Sequence, residues 1–145
     1  MTKEAKEMVT RPRDDKEMQM SKNNERLERE IAEAVRTFGM EWMALAARSV
    51  SAKLRPRDLV VTLHDALPPA ERDLAAKAKA EAAGRALLRL YPAQFDAVKK
   101  DLEIELSRKV GRPIRRSELR ARKSGDAVFL FTLGAGGSGR RRRPP

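Results

Sequence analysis

The chain has 145 residues, a formal net charge of +11 and no cysteine, which excludes disulfides, thiolate nucleophiles and cysteine metal sites and suits a reducing cytoplasm. Hydrophobic residues make up 41% and charged residues 37%, enough apolar material for one core and too little for two. No apolar run approaches the roughly 18 residues of a membrane-spanning helix, and the opening segment MTKEAKEMVTRPRDDKEMQM alternates charges where a signal peptide needs an apolar stretch. A cytoplasmic, non-transmembrane protein is expected, with any membrane association peripheral.

Residues 1–22 are polar, mixed in charge and without sustained periodicity, and Pro12 between Arg11 and Arg13 should break a helix there, so they are read as a disordered polar arm. Ser21, Asn23 or Asn24 can cap a helix from about residue 23 to about residue 43, in which Leu27, Ile31, Ala34, Val35, Phe38 and Trp42 recur every three or four positions. Trp42, in register with that stripe, is assigned to the core.

From Val50 the period falls to two. Val50, Ala52 and Leu54 alternate with polar residues, Pro56-Arg57-Asp58 turns, and Leu59–Leu63 forms a β-branched second strand, giving a hairpin. Leu67-Pro68-Pro69-Ala70-Glu71 starts a helix with proline in its first turn and an acid near the positive dipole end. The alanine-rich stretch reaches Gly84, which marks a break or a tight helix contact. A longer helical seam follows through Leu87, Tyr91, Phe95, Val98, Leu102, Leu106 and Val110, with Pro92 as the expected kink or restart and Gly111 as the C-cap. A second hairpin joins residues 114–122 to Ala127–Leu133, whose continuous hydrophobicity argues for a central strand. Residues 134–145, GAGGSGRRRRPP, read as a disordered Gly/Arg-rich tail. The expected domain is therefore a single α+β unit over 23–133. It has a four-stranded, largely antiparallel sheet from two hairpins, helices packed on one face, and the order α-β-β-α-α-β-β.

Positive charge is local. Residues 108–123 carry eight basic side chains against one acid, and residues 134–145 add four arginines and no acid. On the third strand Arg116, Glu118, Arg120 and Arg122 fall at period two and share one face, with Ser117, Leu119 and Ala121 on the other. With Arg112, Arg115, Lys123 and the cluster Arg140, Arg141, Arg142 and Arg143, they form the candidate docking set for phosphates, anionic headgroups or an acidic partner. The competing reading is an edge strand charged against aggregation and a solubilising tail.

Catalytic constellations are missing. The single histidine, His64, adjoins Asp65, but no nucleophile or metal partner follows at a useful spacing, so a structural or surface histidine is preferred to a proton-transfer dyad. Glu25, Glu28, Glu30 and Glu33 interleave with Arg26, Arg29 and Arg36 as a solvated helix face does. Glu103 and Glu105, two apart on a helix, point to different sides. No catalytic residue, cofactor or metal site is expected, and Gly134-Ala135-Gly136-Gly137 lacks the lysine and the helix of a phosphate loop.

The stretch from about Arg48 to Leu133 resembles the small bacterial MpsC-like family, described as the third component of a sodium-translocating, membrane-potential-generating system. SVSAKLRPRDLVVTLHDAL, LPPAERDLA, KVGRPI and FLFTL carry the resemblance. Leu67, Pro69, Glu71 and Leu74 match the family's Leu-Thr-Pro-x-Glu helix start, whereas Pro68 replaces the capping threonine. The resemblance implies an accessory cytoplasmic protein at a cation-translocating membrane system, peripheral at the inner membrane, and supplies no catalytic residues. The leading expectation is thus a non-enzymatic adaptor whose basic strand and tail dock on an acidic protein partner or on the cytoplasmic face of such a system. A nucleic-acid-binding module and a small-ligand sensor are the alternatives, and the two sheet edges leave a homodimer open.

Overall fold

The computed structural model describes residues 2–135, with side chains from residue 23 onward. Its elements are α1 (Thr2–Met43), β1 (Ser49–Leu54), β2 (Asp58–His64), α2 (Pro69–Ala76), α3 (Ala82–Val98), α4 (Lys100–Val110), β3 (Ile114–Ala121) and β4 (Ala127–Leu133). All strand pairs are antiparallel, and the sheet order is β1-β2-β4-β3. The α+β class and both hairpins agree with the sequence pattern, and β4 is central, as its apolar run requires.

Alternation decides which face is covered. Leu59, Val61 and Leu63 of β2, Phe129 and Phe131 of β4 and Leu119 of β3 all point inward. They share one core with Ile31, Val35 and Phe38 of α1, Ala75 of α2, Tyr91 and Phe95 of α3, and Leu102 and Leu106 of α4. The intervening residues Val60, Thr62, His64, Leu130, Thr132, Arg116, Glu118 and Arg120 are half-buried or exposed, and Val128, between Thr62 and Arg120 in the register, is buried. Every helix therefore lies on one side of the sheet, and the other side carries no covering element among the described residues.

Helix boundaries depart from the sequence reading at three points. α1 begins at Thr2 and its backbone runs through Pro12, where a break and a non-helical arm up to residue 22 were expected. The segment is dense in strong helix formers (Lys, Glu, Ala, Met, Gln, Arg), so the one hydrogen bond that Pro12 removes does not end it. Likewise Pro92 sits inside α3, and the break comes instead at Lys99. Three helices rather than two therefore separate the hairpins. Lys99 is held there from three sides: Nζ reaches Asp96 Oδ1 and the Ser117 carbonyl, each at 3.2 Å, and lies 5.9 Å from the Phe95 ring centroid.

Trp42 is the third departure. It is 57% exposed, while Met43 and Leu45 are buried at 5% and 0%. The chain leaves α1 through Ala44, whose φ is +55°. The core positions beyond Phe38 thereby pass to Met43 and Leu45, and the indole is turned outward. β1 is only half-buried on its inner side, as befits an edge strand. Its free edge is blunted where the Leu54 N–H donates to Glu28 Oε2 at 2.8 Å.

Gly111 and Gly84 are each required by geometry. Gly111 caps α4 at φ +78°, with its N–H on the Ser107 carbonyl at 2.8 Å. Gly84 sits where α3 crosses the end of α2: a Cβ there would stand 2.4 Å from the Leu74 carbonyl oxygen and 2.9 Å from the Ala78 backbone. Backbone cannot yield as a flexible side chain would. Gly84→Ala should therefore destabilise the fold by about 1–3 kcal/mol, read as a lower urea midpoint at unchanged slope.

Candidate functional site

β3 supplies the basic row, and its burial pattern explains why it can. Ser117 and Leu119 are buried against α3 and α4, so the alternating Arg116, Glu118 and Arg120 are turned to the open side. Opposite them on β4 stand Thr132, Leu130 and Val128 respectively. On β2, Val60 pairs with Leu130 and Asp58 with Thr132. The result is a groove of about 300 Å³ that includes Arg116, Arg120, Glu118, Asp58 and Leu130. Leu130 is the apolar side chain between the guanidinium groups of this groove, and Val60 lies next to it on the same face.

The candidate residues do not all converge there. Arg116 and Arg120 share the open face as expected. A bulge between Ile114 and Arg116 takes Arg115 out of the row, and its side chain lies against Gly134. Arg112 is half-buried, with Nε donating to the Gly134 carbonyl at 3.0 Å; its guanidinium ties the end of β4 to the α4–β3 connection. Arg122, read from the sequence as a fourth member of the row, lies beyond the last residue of β3 and, like Lys123, is exposed in the β3–β4 turn. Arg140, Arg141, Arg142 and Arg143 lie outside the described residues.

Charge on the open face is mixed. Arg120 Nη2 meets Glu118 Oε2 at 2.8 Å with the two side chains 65% and 38% exposed, and Arg55 Nε meets Asp58 Oδ1 at 2.7 Å. Exposed pairs of this kind contribute below about 1 kcal/mol and rearrange easily for an incoming carboxylate. Arg116 has no ion pair among the described residues. No aromatic ring faces this side: all four phenylalanines and Tyr91 are buried, and Trp42 is on α1.

The inner side of the same strand is a structural clamp. Ser117, 4% exposed, donates its hydroxyl to Glu103 Oε2 while its carbonyl accepts from Lys99. Glu103 is thereby engaged with β3, whereas Glu105 lies on the side of α4 that faces α1. His64 bonds Ser51 Oγ at 3.2 Å. Its sequence neighbour Asp65 pairs instead with Arg48 at 3.4 Å, so the two do not form a dyad. Among the described residues no group of three or more His, Asp or Glu side chains could hold a metal ion, and no helix is long and apolar enough to cross a membrane.

Sequence reasoning missed a second surface, a groove of about 440 Å³ between α1 and α4 lined by acids and Trp42. The signal was present as Glu30, Glu33 and Glu41 on one helix and Asp101 and Glu105 on another, but nothing local brings those helices together. Compared with known proteins, the chain matches no family model, no curated protein and no solved structure.

The two sides of β3 should respond differently to substitution. Ser117→Ala removes a buried hydroxyl and leaves Glu103 without its donor, with an expected loss of about 1–3 kcal/mol. Glu118→Gln breaks only an exposed pair and should change stability by less than about 1 kcal/mol. Paired urea titrations followed by circular dichroism check both.

Proposed function

We propose that this chain is a non-enzymatic binding module that docks an acidic protein surface on the open face of its sheet. The observation that carries the reading is the combination of an uncovered face, a half-exposed apolar floor at Val60 and Leu130, and Arg116 and Arg120 at its border. Interfaces are built from such a patch: apolar atoms provide the desolvated centre, and arginine provides planar, bidentate recognition of carboxylates.

Charge alone would suit a nucleic acid as well, but single-stranded nucleic acids are gripped by aromatic platforms on which bases stack. The open face has none, and Glu118 and Asp58 would repel a phosphate backbone. An acidic protein surface, which brings apolar as well as charged groups, fits the mixed composition better. The resemblance to MpsC-like proteins suggests where such a surface lies, on the cytoplasmic side of a cation-translocating membrane system, and makes the protein its accessory component.

Fluorescence anisotropy with a labelled Glu/Asp-rich peptide, a single-stranded oligonucleotide and vesicles containing anionic lipid tests the reading. The peptide should bind, and Arg116→Ala with Arg120→Ala should weaken it roughly tenfold or more, since a hydrogen bond to a charged group contributes about 1.5–3 kcal/mol. Equal binding by the double variant would remove the open face as the docking surface. Preferential, steeply salt-dependent binding of the oligonucleotide would replace the protein partner with a nucleic acid.

A further inference from the structure

The groove between α1 and α4 differs in charge and chemistry from the open sheet face. Glu30, Glu33 and Glu41 from α1 and Asp101 and Glu105 from α4 line it, with Trp42 at its border and Lys109 as its one basic residue. The five carboxylates are exposed and have no ion pair among the described residues. Like charges gathered in one groove raise their own energy until a cation joins them. Trp42 adds a second and independent feature: it stacks on Phe38 with ring centroids 6.5 Å apart and yet is 57% exposed. An indole face anchored from behind and open in front, beside carboxylates, is the environment that a guanidinium group fills by stacking and bidentate hydrogen bonding together.

The chain carries that chemistry within reach. β4 ends at Leu133, and Gly134 is fixed by two bonds: its N–H donates to the Pro113 carbonyl at 2.7 Å, and its own carbonyl accepts from Arg112 at 3.0 Å. The departure point therefore lies beside the connection that follows α4. From there Lys109, Glu105 and Asp101 lead into the groove at intervals of one helical turn, about 6 Å each. Five residues separate Gly134 from Arg140, and the six steps between them span about 20 Å when extended. The intervening Ala-Gly-Gly-Ser-Gly imposes little steric restriction on the path. A short linker of this kind gives a covalently attached segment a local concentration on the order of millimolar.

We propose that the arginine cluster Arg140–Arg143 docks in cis into the α1–α4 groove, with a guanidinium on Trp42 and others on Glu30, Glu33 and Glu105. Docking places those arginines in the helical layer, away from the open sheet face, so this inference stands or falls independently of the function proposed above.

Trp42 is the chain's single tryptophan, so its emission reports on the groove in the intact protein. Replacing Arg140, Arg141, Arg142 and Arg143 by serine should raise the acrylamide quenching constant of Trp42 roughly twofold, as an indole face loses its stacked cation. Glu30→Gln with Glu33→Gln and Glu105→Gln should produce the same rise in the full chain, and combining the two sets should add nothing further. The difference should vanish in about 1 M sodium chloride, where the screening length is about 3 Å. Equal quenching in the parent and the four-serine protein would overturn the proposal, and that variant leaves every described residue unchanged. A difference that grows with protein concentration, together with dimers in sedimentation, would also overturn it by assigning the cluster to a second copy.

Discussion

The edge-to-face contact of Phe95 with Phe129, with ring centroids 5.3 Å apart, joins α3 to the central strand and fixes which side of the sheet is inside. Phe38 of α1 meets Phe95 edge-on at 5.9 Å, and Phe131 stacks on Phe129 at 6.5 Å. These four rings run from the long helix to the middle of the sheet. Such pairs add about 0.5–1.5 kcal/mol each beyond the area they bury. Because the side-chain period of a strand is two, committing Phe129, Phe131 and Leu119 to that side turns Leu130, Arg116 and Arg120 to the other. The open face is thus a consequence of the core, and a one-residue slip of β3 would exchange Leu119 for Arg120.

Polar contacts finish what the rings begin. Ser117, Glu103 and Lys99 bind the inner side of β3 to the α3–α4 junction, and Tyr91 donates its hydroxyl to Glu71, linking α3 to the first turn of α2. Pro68, at the N-cap, makes no side-chain bond, so Glu71 is the first-turn acid that both suits the dipole and holds the neighbouring helix. At the far edge Glu28 occupies the Leu54 N–H. What the sequence pattern offers as a solvated acidic face on α1 therefore contains one residue that closes a strand edge.

Charge differs between the layers, mixed on the sheet side and mainly acidic in the helical groove. The sheet side presents arginines around an apolar floor, and the helical side presents carboxylates around an indole. Two surfaces that differ in charge thus lie on opposite sides of one small domain.

Composition and periodicity by themselves determined the α+β class, both hairpins, the central place of β4, the glycine cap at Gly111 and the split of β3 into a buried and a basic side. Each of these is set by alternation or by turn chemistry within a few residues. Tertiary structure alone decided the rest. Trp42 is outward because the chain turns at Ala44 and hands the next core positions to Met43 and Leu45, a choice that helical spacing does not contain. The break at Lys99 rather than Pro92 comes from contacts with β3, which lies far along the chain. Arg112 became a tether and Arg115 a bulge residue because Gly134 returns beside them, and the acidic groove exists only because α1 and α4, more than 50 residues apart in sequence, pack side by side over the same sheet. Local propensity acts over one or two turns, whereas these outcomes depend on which distant surfaces share the core.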